Sequence, residues 1–176
     1  VNEVGLSMYS KIVHQIVNEV AGDRYEEILP KIEIDIPVGI PSNYIQDEEE
    51  KLVFYRKLLE AKTVAEVENI KEEMEDRFGK CQQKDELLLK NLFLICKLRT
   101  VLKKYGVLKI SYKKTEIGCD IYILVNNREQ ISQLIQKFGN LKNLVINDST
   151  ENIIVISTKF INIQNCFEKI AELFIT

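Results

Sequence analysis

One histidine and four cysteines are the side chains from which this sequence could build a nucleophile, a general base or a metal centre. His14 is the only histidine, so any Cys–His or Ser–His pair would have to use it. It falls in a stretch of helical periodicity, where an ordinary surface or interface role accounts for it. Cys81, Cys96, Cys119 and Cys166 form no C-x-x-C pair. Tetrahedral zinc needs closely spaced Cys and His ligands, so no metal site is expected. Cys96 sits inside an apolar run and reads as a small core residue. All four read as free thiols of a reducing cytoplasm rather than as disulfides. The patterns G-x-S-x-G, H-E-x-x-H, the Walker loop and G-x-G-x-x-G are absent from the sequence. Nothing near Gly39 resembles a phosphate loop, because no Lys-Ser/Thr follows it. No catalytic, metal-binding or cofactor-binding residue is therefore expected, and the chain reads as non-enzymatic.

Carboxylates are plentiful, but on helices rich in Glu and Lys they usually serve solubility and i,i+4 pairing. The run Asp47-Glu48-Glu49-Glu50 stands where a helix begins, and there it interacts favourably with the helix dipole. Glu73, Asp76 and Arg77 are more specific. Their i, i+3, i+4 spacing puts them on one helical face, while Ile70, Met74 and Phe78 form the apolar stripe on another. Such a face is either a surface ion-pair cluster, worth about 0.5 kcal/mol, or a charged docking face for another protein domain. Arg suits docking because its planar fork can bind a carboxylate bidentately.

These residues need elements to carry them. Leu6, Tyr9, Ile12, Val13, Ile16, Val17 and Val20 recur at helix spacing, which predicts a helix over Gly5 to Ala21. Lys31 to Val38 alternates, with Ile32, Ile34 and Ile36 pointing one way, and reads as a half-buried strand ended by Pro37 and Pro41. A helix is predicted over Asp47 to Ala61, with Leu52, Phe54, Tyr55, Leu58 and Leu59 inward. A second opens with the capping box Thr63-Val64-Ala65-Glu66 and stops at Gly79. The third, from about Lys84 to Tyr105, is apolar nearly all round and should be covered on several sides. The last third reads strand, strand, helix twice. Its segments are Val107 to Lys114, Cys119 to Val125, a helix capped by Asn127, Leu144 to Ile146, Ile153 to Ser157, and Phe160 to Phe174. The expected class is α+β: a helical N-terminal part packed with a small mixed or antiparallel sheet of strand-strand-helix units.

Charge and composition narrow the partners. With 45% hydrophobic and 29% charged residues the chain has the balance of a globular protein. No apolar run approaches the roughly 20 residues that span a bilayer, so no membrane partner is expected and the location reads as cytoplasmic. A formal net charge of −3 argues against a duplex-binding domain. Lys103, Lys104, Lys109, Lys113 and Lys114 cluster without an Arg or aromatic pattern, and read first as a solvated surface. A nucleic-acid-binding module built on the C-terminal α+β layer is the alternative. The chain opens on Val1 rather than Met, as a fragment of a larger protein would.

Four stretches resemble the C-terminal domain of the bacterial transcription-repair coupling factor. They are Val4-Gly5-Leu6-Ser7-Met8-Tyr9; the segment Ile32 to Tyr44; the segment Leu52 to Gly79; and the Leu-rich helix ending in Lys97-Leu98-Arg99. The third is the most specific and contains Phe54-Tyr55-Arg56-Lys57 and Glu73-Met74-Glu75-Asp76-Arg77-Phe78-Gly79. Beyond residue 100 the likeness is one of layout. The sequence departs from the family after Gly79, where Lys80-Cys81-Gln82-Gln83 replaces a proline-bearing turn. The resemblance implies that residues 1–25 are a connecting helix from a preceding translocase module and that 26–176 are a C-terminal regulatory domain. In that family the full protein is an ATP-dependent DNA translocase that removes stalled RNA polymerase and recruits excision repair through UvrA. The resemblance further implies that this domain docks on the UvrB-like N-terminal module of the same polypeptide. Docking there masks the UvrA-binding surface and restrains the motor, and the docking face falls on Glu73, Asp76 and Arg77.

Overall fold

Side-chain caps mark where the helices of this chain begin. The protein is described by a computed structural model over residues 29–139, 145–148, 152–159 and 162–176. The helix read over Gly5 to Ala21, with His14, lies outside the described residues. Helix α1 spans Glu48–Glu60, and Asp47 caps it by accepting from the N–H groups of Glu49 (2.8 Å) and Glu50 (3.0 Å). Helix α2 spans Val64–Phe78. Thr63 Oγ1 accepts from Glu66 N–H at 3.1 Å, and the Glu66 carboxylate accepts from Lys62 N–H at 2.7 Å. The expected capping box therefore forms with its return bond one residue upstream, at Lys62 rather than Thr63. Gly79 ends α2 at φ +76°, a backbone conformation that favours glycine. The segment after it turns through Gln82, whose carbonyl accepts from Asp85 N–H (2.9 Å), and helix α3 follows over Glu86–Lys104.

The described residues divide into two compact units, Asp35–Thr100 and Leu29–Ile34 with Val101–Thr176. The first is helical. Ile36, Val38, Ile45, Phe54, Leu58, Val67, Met74, Leu92 and Ile95 are buried in it. Leu89, Phe93, Cys96 and Leu98 are buried as well, so α3 is covered on several sides as its composition predicts. The Pro37–Pro41 stretch belongs to no regular strand, Pro37 making only an isolated bridge, and its buried polar groups need partners. The Asn91 side chain donates to Pro37 O (2.9 Å), Gly39 N–H donates to Leu88 O (3.3 Å), and Ile40 N–H donates to the Tyr55 hydroxyl (2.7 Å). The strand expected over Lys31 to Val38 is accordingly shorter. Its alternation holds, with Ile32, Ile34 and Ile36 buried, but only β1, Lys31–Glu33, pairs regularly with a neighbouring strand.

The second unit is a five-stranded sheet in the order β1-β2-β3-β5-β4. β2 is Val107–Lys114, β3 Cys119–Val125, β4 Val145–Asp148 and β5 Ile153–Thr158. β1 runs parallel to β2 and the other pairs are antiparallel, so the sheet is mixed. Alternation sorts the faces. Ile121, Ile123, Val125, Ile154 and Ile156 are buried, while Asp120, Tyr122 and Val155 are half-exposed. Helices α4 (Arg128–Phe138) and α5 (Ile163–Ile175) bury Leu134, Phe138, Phe167, Ile170 and Phe174, and the Phe138 and Phe174 rings meet edge to face at 5.2 Å. Gly118 lies against the end of β5: a Cβ there would stand 1.9 Å from Thr158 O, so only glycine fits. The fold class is α+β, as expected. The thiol reading needs one correction. Cys81 and Cys96 are in no disulfide, but the sulfurs of Cys119 and Cys166 are joined at 2.14 Å. Both residues face the buried side of the sheet, where Thr158 Oγ1 lies 3.3 Å and 3.4 Å from the two sulfurs.

Tyr55 supplies a test of this packing. Burial pushes its phenol above the usual 10.0. A group whose folded pKa is raised contributes stability in full below its unfolded pKa and loses it as pH rises through the folded value. At neutral pH, Tyr55→Phe strands the Ile40 N–H and should cost about 1–3 kcal/mol in urea unfolding. The gap between wild type and Tyr55→Phe should narrow as pH climbs past 10. A gap that stays constant would show that the phenol carries no such linkage.

Candidate functional site

The three-residue loop 61–63 sets α1 and α2 side by side and antiparallel. Moving back along α1, the facing partner moves forward along α2. Lys57 Nζ donates to both Glu73 oxygens, at 2.7 Å and 3.0 Å. Arg77 donates to Glu50 Oε1 at 2.5 Å. The Arg77 guanidinium also lies 5.5 Å from the Phe54 ring centre and 5.1 Å from that of Phe78. Those two rings meet edge to face, and Phe54 is fully buried. Tyr44 also packs edge to face against Phe78 and donates its hydroxyl proton to Gly79 O at 2.6 Å.

Glu73, Asp76 and Arg77 thus share one face of α2. The Lys57 and Glu73 side chains are each 40% exposed, Arg77 is 46% exposed and Asp76 is exposed. Met74 is buried beneath them, while Ile70 and Phe78 are half-buried. Asp76 has no cation partner among the described residues. Ion pairs this exposed contribute about 0.2–1 kcal/mol each, and a guanidinium over an aromatic ring contributes about 0.5–1 kcal/mol at such a site. Most of the hold on this face therefore comes from the apolar packing under it, and the charges remain available at the surface. In the sequence Glu50 reads only as a helix-dipole carboxylate and Lys57 only as part of a family-like stretch, neither as a partner of α2. Their partners lie 27 and 16 residues away, and only the antiparallel pairing of the two helices reveals them.

Other chemistry-bearing residues assemble less. A groove of about 460 Å³ in the helical unit is lined by Tyr44, Lys71, Glu75, Cys81, Glu86 and Phe93. Its one thiol, Cys81, has a raised pKa, through burial first and then the charges of Asp85 and Glu86, which makes it a poorer nucleophile. No His/Cys/Asp/Glu group suited to a metal ion occurs among the described residues. Nor is any helix among them long and apolar enough to cross a membrane. Within the lysine cluster, Lys109 pairs with Glu33 at 3.2 Å, and Lys113 stands in register opposite Asp120.

The family described as "TRCF domain" matches residues 34–133. The "Transcription-repair-coupling factor" of Buchnera aphidicola subsp. Baizongia pistaciae is 27% identical over 149 residues, covering 81% of this chain and 20% of that protein. The protein of the same name from Staphylococcus haemolyticus is 25% identical over 163 residues, covering 90% of this chain and 14% of that protein. The chain therefore spans a fifth or less of these relatives' length. A solved structure, "Crystal structure of C-terminal domain of transcription-repair coupling factor", superposes with a TM-score of 0.67 at 20% identity, over 84% of this chain and 91% of that one. At that identity the superposition speaks for the fold, and the match over 34–133 speaks for descent. With its helical hairpin and mixed sheet, this chain belongs to the TRCF domain family.

Proposed function

We propose that this domain is a non-catalytic, autoinhibitory module of a transcription-repair coupling factor. In this reading it docks through the Glu73–Asp76–Arg77 face onto the UvrB-like N-terminal module of its parent polypeptide. Docking masks the surface that binds UvrA and restrains the ATP-dependent DNA translocase until RNA polymerase is engaged, in the bacterial cytoplasm, during transcription-coupled nucleotide excision repair. The observation that carries this reading is the exposed charged face itself: three charges on one side of α2, with Arg77 fixed over two rings rather than waving in solvent. A fixed guanidinium loses less freedom on binding than a mobile one, so more of its interaction counts toward affinity. A docking free energy of about 2 kcal/mol would hold roughly thirty molecules closed for each one open, and still leave the latch releasable. The nucleic-acid alternative gains no support from the lysines at Glu33 and Asp120.

Two measurements bear on this. For the domain alone, Glu73→Ala and Asp76→Ala should shift unfolding stability by no more than about 0.5 kcal/mol. Arg77→Ala, which gives up both the ion pair and the ring contacts, should cost about 1 kcal/mol. In the full-length parent each substitution should raise UvrA affinity and basal ATPase by about 5-fold or more. Variants that fold normally and leave both quantities at the wild-type level would remove the latch from this face.

A further inference from the structure

A threonine hydroxyl has one proton to give and two lone pairs to fill. Thr158, buried at the end of β5, gives its proton to Cys119 O at 3.1 Å. The sulfurs of Cys119 and Cys166 lie 3.3 Å and 3.4 Å from the same oxygen. As thiols they can fill its lone pairs by donating S–H, and joined as a disulfide they occupy the same space. Cys119 is 3% exposed and Cys166 1%, so these groups answer to one another rather than to solvent. The interior of the sheet unit thus accommodates both redox forms with the same neighbours. The two cysteines are carried differently. Cys119 opens β3 in register with Lys114 on one side and Thr158 on the other, and Gly118 before it lies against Thr158 O. Cys166 sits in the first turn of α5. Its N–H donates to Asn162 O at 3.1 Å, and the Asn162 side chain caps the turn by accepting from Gln164 N–H at 2.8 Å. A helix end opens more readily than a strand paired on both sides.

The geometry points to a reversible thiol-oxidation site at Cys119 and Cys166, responsive to peroxide, with the first turn of α5 as the way in. It stands apart from the charged face of α2. Opening of the turn exposes the Cys166 sulfur. As a thiolate it attacks one oxygen of hydrogen peroxide and the O–O bond breaks. The departing hydroxide takes up the thiol's proton as water, and a sulfenic acid remains. Once the turn closes, the Cys119 sulfur attacks that of Cys166. The S–O bond breaks, and the hydroxyl leaves with the Cys119 proton as a second water. Two thiols and one peroxide become one disulfide and two waters, with two electrons passing from sulfur to oxygen. A dithiol reductant reverses the step through two exchanges. The bond spans 47 positions and ties α5 to β3. Oxidation therefore restricts the unfolded chain and pins α5 to the sheet.

The test uses the whole 176-residue chain carrying Cys81→Ser, which leaves Cys96, Cys119 and Cys166. Alkylation in denaturant should label all three in the chain reduced with dithiothreitol. After hydrogen peroxide it should label Cys96 alone. Dithiothreitol should then restore the label, which it would not do for a sulfinic acid. Reduced and oxidised chains should both be folded, and oxidation should lower the unfolding equilibrium constant in urea about 100-fold. Cys166→Ser should show no such gain. Asn162→Ala removes the cap of α5 and should speed reduction of the folded, oxidised chain about 5-fold. Asn127→Ala removes the corresponding cap of α4, which accepts from Gln130 N–H, and should leave that rate unchanged. Continued labelling of Cys119 and Cys166 after peroxide would overturn the site, as would label that dithiothreitol does not restore. A reduced chain that fails to fold would make the bond structural rather than reversible, and would overturn it too. Both cap variants speeding reduction alike would overturn entry through α5.

Discussion

Arg77 is held by three contacts. A carboxylate from α1 takes its charge at 2.5 Å, a fully buried ring lies under its plane, and a half-buried ring of its own helix flanks it. A guanidinium tolerates this because it is weakly hydrated and can stack on a ring without losing its remaining donors. The seam between α1 and α2 depends on that arrangement. Phe54 and Met74 set the distance between the helices, and the charges ride on top of them. Both ion pairs stay about two-fifths exposed, so neither carries the desolvation penalty of a buried pair. Partners can be exchanged at such a site without a large change in stability.

Family membership and fold likeness extend over different lengths of the chain. The family match covers 34–133, which takes in the helical unit, β2, β3 and the first turns of α4. The structural likeness runs over 84% of the chain at 20% identity. Sheet and helix layers can be kept by any sequence that preserves the alternation of Ile121, Ile123, Ile154 and Ile156. The pairing of α1 with α2 needs particular residues at particular heights. The specific run Glu73 to Gly79 lies where geometry is most demanding, just before the left-handed Gly79 whose carbonyl receives Tyr44.

Much of the architecture was legible because it is written locally. Asp47, Thr63 and Asn127 announce helix starts through bonds that span two or three residues, and the periods of α3, β3 and β5 report their burial directly. The face of α2 was legible for the same reason, since i, i+3 and i+4 are neighbours on any helix. What was missed is long-range. Nothing near residue 31 shows that β1 would find a parallel partner at Lys109–Ser111 or that it would stop after three residues. Cys119 and Cys166 are 47 positions apart, and only the packing of α5 on the buried side of the sheet brings their sulfurs together. The pairing of Glu50 and Lys57 was invisible because their partners lie on the neighbouring helix.

The sheet unit is assembled from two separated stretches of chain, with the described part of the helical unit, Asp35–Thr100, inserted between β1 and β2. A ribosome making this chain releases β1 long before its parallel partner exists. The helical unit can therefore complete its core while Lys31–Glu33 still lacks a strand to join. Parallel pairing across that interval is costly in loop closure and comes late. Neither unit can be expressed whole as a simple half: a cut after Thr100 strips the sheet of its edge strand, and a start at Val101 produces a sheet with β2 exposed along one side.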